Sequence, residues 1–267
     1  DEMRLAEKQM ERIPETIGNI PYIIIMDRGY PSTPAFIHMM DKDLKFIVRL
    51  KSSDYKKEQS SLTENDQLVK IKLDKSRIRH YEGTPDGERM KELGEISLRM
   101  VKILLENGSL EVLATNLSQT EFQTEEIKEL YHMRWGIETA YETLKSRLQL
   151  ENFTGTKPIL LLQDIYSTIY LSNLAEDIIL DAERELDQKE ANRKHKMMIN
   201  QTVSIGILKN DLIYILLETD DQKKNILFQQ IYEDISKNLV PIRPDRHYAR
   251  TKGRLAGKYS NPHKRAY

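Results

Sequence analysis

Cysteine is absent from the 267 residues, which excludes disulfide bonds, thiolate catalysis and cysteine-based zinc or iron–sulfur sites. The histidines lie far apart without an HxxxH pair, so any metal ion would have to be held by carboxylates. No run approaches the roughly 18 apolar residues that a membrane span needs, and the first residues show no signal peptide. We therefore expect a soluble cytoplasmic protein that contacts no membrane.

Net charge is almost missing as well, because 41 Lys and Arg residues face 42 Asp and Glu residues. Taken alone, this balance argues against a protein that binds nucleic acid. The length allows one large domain or two ordinary ones, either of which can bury a sizeable core.

The first fifty residues predict alternating helices and strands. Residues 1–16 form a charged amphipathic pattern, and residues 32–42 predict a second, short helix. The apolar run 22–26 has no polar alternation, which is typical of a strand buried on both faces. A second strand is predicted at 45–50, so this part of the chain indicates an α/β fold.

Residues 51–117 predict a β-rich insertion. The segment 69–73 alternates with a period of two, as in a strand with one solvated face. Two further strand patterns flank Asn107-Gly108, a strong hairpin signal. We interpret the basic cluster from Lys75 to His80 as another strand.

The remainder predicts mainly helices. Thr124 is placed to cap a helix that runs unbroken to about Leu148. Further helices are predicted at 159–185, 202–218 and 221–238, and the pair Met197-Met198 is interpreted as helix packing.

Asp27 directly follows the first buried strand. The carboxyl end of such a strand holds a side chain rigidly while leaving it accessible, so catalytic groups gather there. The alternative is a turn aspartate before Gly29.

A second group of polar residues lies on the long predicted helix. Tyr131, Arg134, Glu138 and Lys145 would project within an arc of about 60° on a regular helix. The alternative is an ordinary set of solvated ion pairs spaced three and four residues apart.

These residues resemble the signature of a known family. The pattern Tyr131-x2-Arg134-x3-Glu138-x6-Lys145 is similar to the Tyr-Arg-Glu-Lys signature of a large group of bacterial insertion-sequence DDE transposases. The segment from Asp27 to Tyr30, Asp-Arg-Gly-Tyr, resembles the part of these enzymes that holds their second catalytic aspartate. Members of the group also carry a β-rich insertion between that aspartate and the glutamate.

The resemblance implies an α/β, ribonuclease-H-like core interrupted by the insertion and followed by a helical C-terminal region. The corresponding domains are a first core part at 1–50, the insertion at 51–117, a second core part with C-terminal helices at 118–240, and a basic tail at 241–267.

The resemblance also implies metal-dependent cleavage at transposon ends and strand transfer into target DNA, by a homodimer on DNA at the bacterial nucleoid. Asp27 and Glu138 would be catalytic residues and ligands of two Mg²⁺ (or Mn²⁺) ions, with Glu142 as an alternative ligand. Tyr131, Arg134 and Lys145 would contact DNA phosphates.

Trp135 and the basic cluster from Lys75 to His80 lie near or within the regions that the resemblance covers. We expect Trp135 to pack beside the signature helix rather than stack on a base. For the cluster Lys75 to His80, contact with DNA stays open.

One element of the family pattern is missing, because a first catalytic aspartate should lie on an earlier strand. Asp1 is the sole earlier aspartate and has no strand before it. We therefore expect this chain to lack an N-terminal part and to have little activity alone. The alternatives are a catalytically inactive DNA-binding remnant and a structure-directed nuclease on the same fold.

The charge distribution changes the meaning of the neutral balance. Residues 241–267 contain eight Lys or Arg residues against Asp245 alone. In a DNA-processing enzyme we expect this tail to neutralise phosphates, the alternative being a merely solvated tail. A salt dependence of DNA binding that is unchanged after deletion of 241–267 would refute the expectation.

Overall fold

The computed structural model describes residues 2–105, 108–189 and 195–243. The predicted basic tail therefore lies outside the described residues from position 244 onward. The chain divides into two compact units, Asp1–Gly136 and Ile137–Tyr267. None of the helices within the described ranges is long and apolar enough to cross a membrane.

The first unit is built on a five-stranded sheet. Its strands are β1 (Ile24–Met26), β2 (Phe46–Leu50), β3 (Asp66–Lys72), β4 (Glu95–Leu104) and β5 (Leu110–Thr115). The spatial order is β1-β2-β5-β4-β3. The β1–β2 pair is parallel and the other pairs are antiparallel.

Helices cover both faces of this sheet. They are α1 (Glu2–Ile17), α2 (Thr33–Asp41), α3 (Lys56–Ser60), α4 (Lys75–Ile78), α5 (Pro85–Leu93) and α6 (Thr124–His132). One core joins α1, α2 and α5 to one sheet face, whereas the core around Ile47, Leu113 and Ile127 lies on the α6 face. The mixed sheet between helices confirms the predicted α/β, ribonuclease-H-like fold class.

The predicted hairpin is confirmed by the antiparallel pairing of β4 with β5, in which Leu104 faces Leu110. Gly108 has a φ of 78°, which glycine adopts without strain, whereas Asn107 lies outside the described residues. Since β5 also pairs with β2, the strands of segment 51–117 extend the sheet that β1 and β2 begin. The domain boundaries at 50 and 117 stay a prediction.

The strand predicted at Lys75 to His80 is wrong. These residues form α4, followed by a 3₁₀ turn at Arg79–Tyr81. The reason is Asp74, whose carboxylate accepts hydrogen bonds from the backbone N–H groups of Ser76 and Arg77 and so caps a helix start.

The unbroken helix predicted from Thr124 to Leu148 is also wrong. After α6 the chain turns through residues 133 and 134, then continues as α7 (Trp135–Glu142) and a π-helical turn at Thr143–Arg147. The N–H groups of Arg134 and Gly136 bond three residues back, which tightens the turn, and Gly136 is a poor helix former. The arc predicted for the four signature residues therefore does not exist on one helix.

The predicted cap of that helix is displaced by one residue. Gln123 is the N-cap and forms a capping box with Glu126. Thr124 instead donates its hydroxyl hydrogen to Asp66, over 2.6 Å.

The second unit is mainly helical. It contains α8 (Pro158–Lys189), α9 (Gln201–Leu217) and α10 (Asp221–Lys237), with a small antiparallel sheet of β6 (Met197–Ile199) and β7 (Leu239–Pro241). Its core joins the three helices through buried residues such as Ile178, Leu208 and Ile235. Met197 and Met198 thus lie in a strand, and their interpretation as helix packing is wrong.

Candidate functional site

Asp27 lies at the carboxyl end of β1 and is half-buried. Ile23 and Ile25 pack on the core beneath α6, so the two-residue alternation of a strand carries Asp27 to the same face. Its backbone carbonyl accepts a hydrogen bond from the N–H of Tyr30. Asp27 is therefore both a turn residue and a strand-end carboxylate, and its side chain lies on the sheet face that α6 covers.

Tyr131 connects α6 to this carboxylate. Its hydroxyl donates to Oδ1 of Asp27 over 3.5 Å, and its side chain is buried, with 4% exposed. Burial raises the pKa of the Tyr131 hydroxyl, and the neighbouring Asp27 charge acts in the same direction. Tyr131 thus keeps its proton and serves as a hydrogen-bond donor to Asp27.

Arg134 stacks against two aromatic rings next to this pair. Its guanidinium carbon lies 5.7 Å from the ring centre of Tyr131 and 5.0 Å from that of Trp135, within the range of a cation–π interaction. Trp135 is 51% exposed, so it is not a core residue, but its ring packs against Arg134 of the signature. That it does so rather than stack on a DNA base stays a prediction. The rings hold a planar cation beside the Tyr131–Asp27 pair.

An ion pair lies on the same face of the sheet as Asp27 and Tyr131. Arg49 of β2 pairs with Glu111 of β5 over 2.7 Å, and both charges act on the Tyr131 hydroxyl. A cavity of about 300 Å³ opens between β4, β5 and α6, with Glu111, Tyr131 and Trp135 among its lining residues. The site therefore offers an accessible hollow beside its aromatic and charged groups.

Glu138 and Lys145 belong to the second unit. Glu138 is exposed on α7, and Lys145, in the π-helical turn, pairs with Glu151 over 2.9 Å. The structure thus brings Asp27, Tyr131 and Arg134 together in the first unit and places the other two signature residues in the second.

A buried ion pair that the sequence reading missed holds the start of α6. Arg99 of β4 is 2% exposed and binds the carboxylate of Asp66 through two nitrogens, at 2.8 and 2.6 Å. Its third nitrogen donates to the carbonyls of Ser118 and Phe122. Hydrogen bonds from Arg99 lower the pKa of Asp66 to about 2, against the opposing effect of burial.

This Arg99–Asp66 clamp fixes the loop that leads to Tyr131. The available signal was an arginine between two apolar residues of β4, Leu98 and Met100, since an arginine is almost never fully buried unless it is paired. The partner could not be named from the sequence, because Asp66 lies 33 residues away.

The carboxylate of Asp27 suits a hard divalent cation. Asp27 makes no ion pair within the described part of the chain, and its accessible oxygens are the donor type that Mg²⁺ prefers. Glu138, in the second unit, has an exposed carboxylate. Across the described residues, no group of three or more His, Asp or Glu side chains is gathered to hold a metal ion, so further ligands would have to come from elsewhere.

Comparison with known proteins agrees with these features. The family model described as "Transposase DDE domain" matches residues 1–174. The chain is 33% identical over 75 residues to InsL for insertion sequence element IS186A of Escherichia coli (strain K12), and equally to the transposase for insertion sequence element IS421 of Escherichia coli. Each alignment covers 28% of this chain and 20% of the relative, so the matched segment spans a fifth of these relatives.

Proposed function

Since the chain belongs to the transposase DDE domain family, we propose that it takes part in metal-dependent cleavage at transposon ends and in strand transfer into target DNA. Within that family we assign it to the group with the Tyr-Arg-Glu-Lys signature, through Tyr131, Arg134, Glu138 and Lys145. DNA is the substrate, and its site of action is the bacterial nucleoid.

The observation that carries the proposal is the grouping of Asp27, Tyr131 and Arg134. A carboxylate at a strand end, a protonated phenol 3.5 Å from it and a stacked guanidinium come from elements about a hundred residues apart. The guanidinium of Arg134 lies against the aromatic rings beside this carboxylate, and a planar guanidinium binds a phosphate well.

Asp27 and Glu138 are the proposed metal ligands, and both supply the oxygen donors that Mg²⁺ or Mn²⁺ requires. When held there, a pair of such ions would supply activation of the attacking oxygen and stabilisation of the leaving oxygen in an in-line displacement at phosphorus. Tyr131 orients the Asp27 carboxylate through its hydrogen bond. Arg134 binds a DNA phosphate. Lys145 leaves its ion pair with Glu151 and places a second positive charge on the DNA backbone.

A third carboxylate is proposed to come from outside the described residues. In the part of the chain described, β1 is an edge strand with β2 as its sole neighbour, so its other edge can accept a strand. A carboxylate on a strand added there would lie beside Asp27. Asp1 is the sole aspartate that precedes Asp27, and it lies outside the described residues.

Two transposon ends must be processed together, so we propose a homodimer on DNA.

The two alternative functions, a structure-directed nuclease and an inactive DNA-binding remnant, differ from a transposase in their products. A structure-directed nuclease on this fold would nick DNA without joining it, whereas an inactive remnant would bind DNA and process nothing.

The test uses DNA ends of the element that encodes the protein, a supercoiled target and Mg²⁺. We expect the 267 residues alone to cut or join little DNA, and joined products to form once the segment that supplies the third carboxylate is present. Asp27→Asn or Glu138→Gln should then abolish the products, with Glu142→Gln as the matched control that retains them. Robust cleavage by the 267 residues alone would contradict the proposed missing ligand, and nicks without joined products would favour the nuclease.

A further inference from the structure

An open cleft of about 550 Å³ lies at the β3 edge of the sheet, far from Asp27. One wall is α3 with the tyrosine before it, and the other is formed by β3 and the start of α4. The residues that line it are Tyr55, Lys56, Lys57, Glu58, Ser61, Val69, Lys70, Lys72, Asp74, Ser76 and Arg77. Five of these side chains are cationic and two are anionic.

The excess positive charge of this β3-edge cleft is accessible. Arg77 is neutralised by Glu58 at 2.6 Å and Lys70 by Glu95 at 3.1 Å. Lys56, Lys57 and Lys72 are exposed and make no ion pair within residues 2–105, 108–189 and 195–243. Three ammonium groups outside these ion pairs thus face one carboxylate, that of Asp74, which leaves the cleft with an excess of positive charge.

The base of the cleft is held in place by packing. The guanidinium of Arg77 lies 5.0 Å above the Tyr55 ring, and the Tyr55 hydroxyl shares a hydrogen bond with Thr33 at 2.9 Å. Burial raises the pKa of Tyr55 to about 12, so this residue adds no negative charge. The lysines therefore extend from a fixed base.

The position of the cleft relates it to the candidate active site. Val69 and Ile71 pack on the α2 side of the sheet, as does Tyr55 in the other wall. The alternating Lys70 and Lys72 lie on the face that bears Asp27 and Tyr131, so the cleft sits at the sheet edge and reaches that face through these two lysines. β1 and β3 are the two outer strands of five, about 19 Å apart at about 4.8 Å per strand. The strand registers place Asp27 level with Asp66, so Lys70 and Lys72 also lie about 13–20 Å further along β3. The resulting separation of about 23–28 Å corresponds to about seven to eight nucleotides along one DNA strand.

We propose that this cleft binds the backbone phosphates of the DNA whose reacting phosphodiester lies at Asp27, about seven to eight nucleotides from it. The inference rests on the proposed function, because it extends the path of the same DNA across the sheet. Lysine, serine and tyrosine side chains are the groups that contact phosphates without reading sequence. The cleft thus anchors the duplex and contributes little sequence preference.

The test is the salt dependence of binding to a random-sequence duplex by the full chain and two double variants. Lys57→Gln with Lys72→Gln removes one lysine from each wall. Lys8→Gln with Lys223→Gln is the matched control, since both lysines are exposed and the change in net charge is the same. We expect the Lys57/Lys72 variant to bind the duplex more weakly. The slope of log affinity against log salt concentration should become shallower by about 1.8, at about 0.9 per lost phosphate contact. The control should stay close to wild type in both quantities.

The possible outcomes separate this inference from the proposed function. A wild-type chain that binds no duplex at low salt would overturn both. Wild-type binding that the Lys57/Lys72 variant retains with an unchanged slope would overturn the cleft alone, as would an equal loss in the control. Calorimetry with inorganic phosphate gives the last outcome. If the wild-type chain binds phosphate saturably and the Lys57/Lys72 variant loses that binding while its DNA binding is unchanged, the cleft binds a free anion and has no role with DNA.

Discussion

The hydroxyl of Tyr131 donates to the carboxylate of Asp27 across 3.5 Å, and so connects α6 to the end of a strand 104 residues earlier in the chain. A distance of 3.5 Å is long for a hydrogen bond between oxygens. The contact therefore orients Asp27 more than it stabilises the fold, while the buried ring of Tyr131 supports the core beneath α6. These two roles can be separated by substitution.

Tyr131→Phe should change the free energy of unfolding by less than about 1 kcal/mol, because it removes one weak hydrogen bond and keeps the ring. Tyr131→Ala should cost about 3–5 kcal/mol through the cavity it leaves. Urea unfolding of both variants measures the difference. An equal loss in the two variants would show that the hydroxyl, and not the ring, carries the stability.

Arg134→Ala should weaken duplex DNA binding and reduce the salt slope by about 1, the value of one phosphate contact. Arg134→Lys should keep the slope and still bind more weakly, because an ammonium lacks the planar fork that stacks on Tyr131 and Trp135. Arg12→Ala, at an exposed position of α1, is the control. Binding by Arg134→Ala that equals wild type would remove Arg134 from the DNA contacts.

Asp66→Asn should destabilise the protein by about 3 kcal/mol at neutral pH, since it leaves the buried Arg99 without its counter-charge. The pKa of Asp66, about 2 in the folded protein, lies below the value of about 3.9 for an unfolded chain. The ionised carboxylate thus contributes its full stabilisation above about pH 4, and loses it as the pH falls from about 4 to about 2.

Urea unfolding of wild type and Asp66→Asn across this pH range tests the clamp. The difference between the two proteins should shrink toward acid pH. A difference that stays constant from neutral pH to about pH 2 would mean that the Asp66 carboxylate is not stabilised by Arg99.

The sequence predicted those parts of the fold that depend on local patterns. The apolar run before Asp27 indicates its strand, and the two strands beside Gly108 indicate their hairpin, because side-chain alternation and turn chemistry act over a few residues. The position of Asp27 on the face of Tyr131 needed the pairing of β1 with β2, which no local pattern encodes.

Two errors show where local patterns fail. Alternating charge at residues 75–80 indicated a strand, but one capping aspartate, Asp74, favours a short helix there. Helical periodicity from residue 124 onward did not reveal the turn at 133 and 134, where Arg134 stacks on rings from both sides of the break. The Arg99–Asp66 clamp was not predictable, since strands distant in sequence bring its members together.

We propose that Asp27 and Glu138, which lie in different compact units of the chain, act together as ligands of a divalent cation. The decisive measurement is Mn²⁺ binding in the presence of duplex DNA, followed by electron paramagnetic resonance. Asp27→Asn and Glu138→Gln should each weaken Mn²⁺ binding by about tenfold or more, whereas Glu142→Gln should bind like wild type. Mn²⁺ affinity that survives Glu138→Gln unchanged would exclude Glu138 as a ligand and favour a DNA-binding remnant without catalysis.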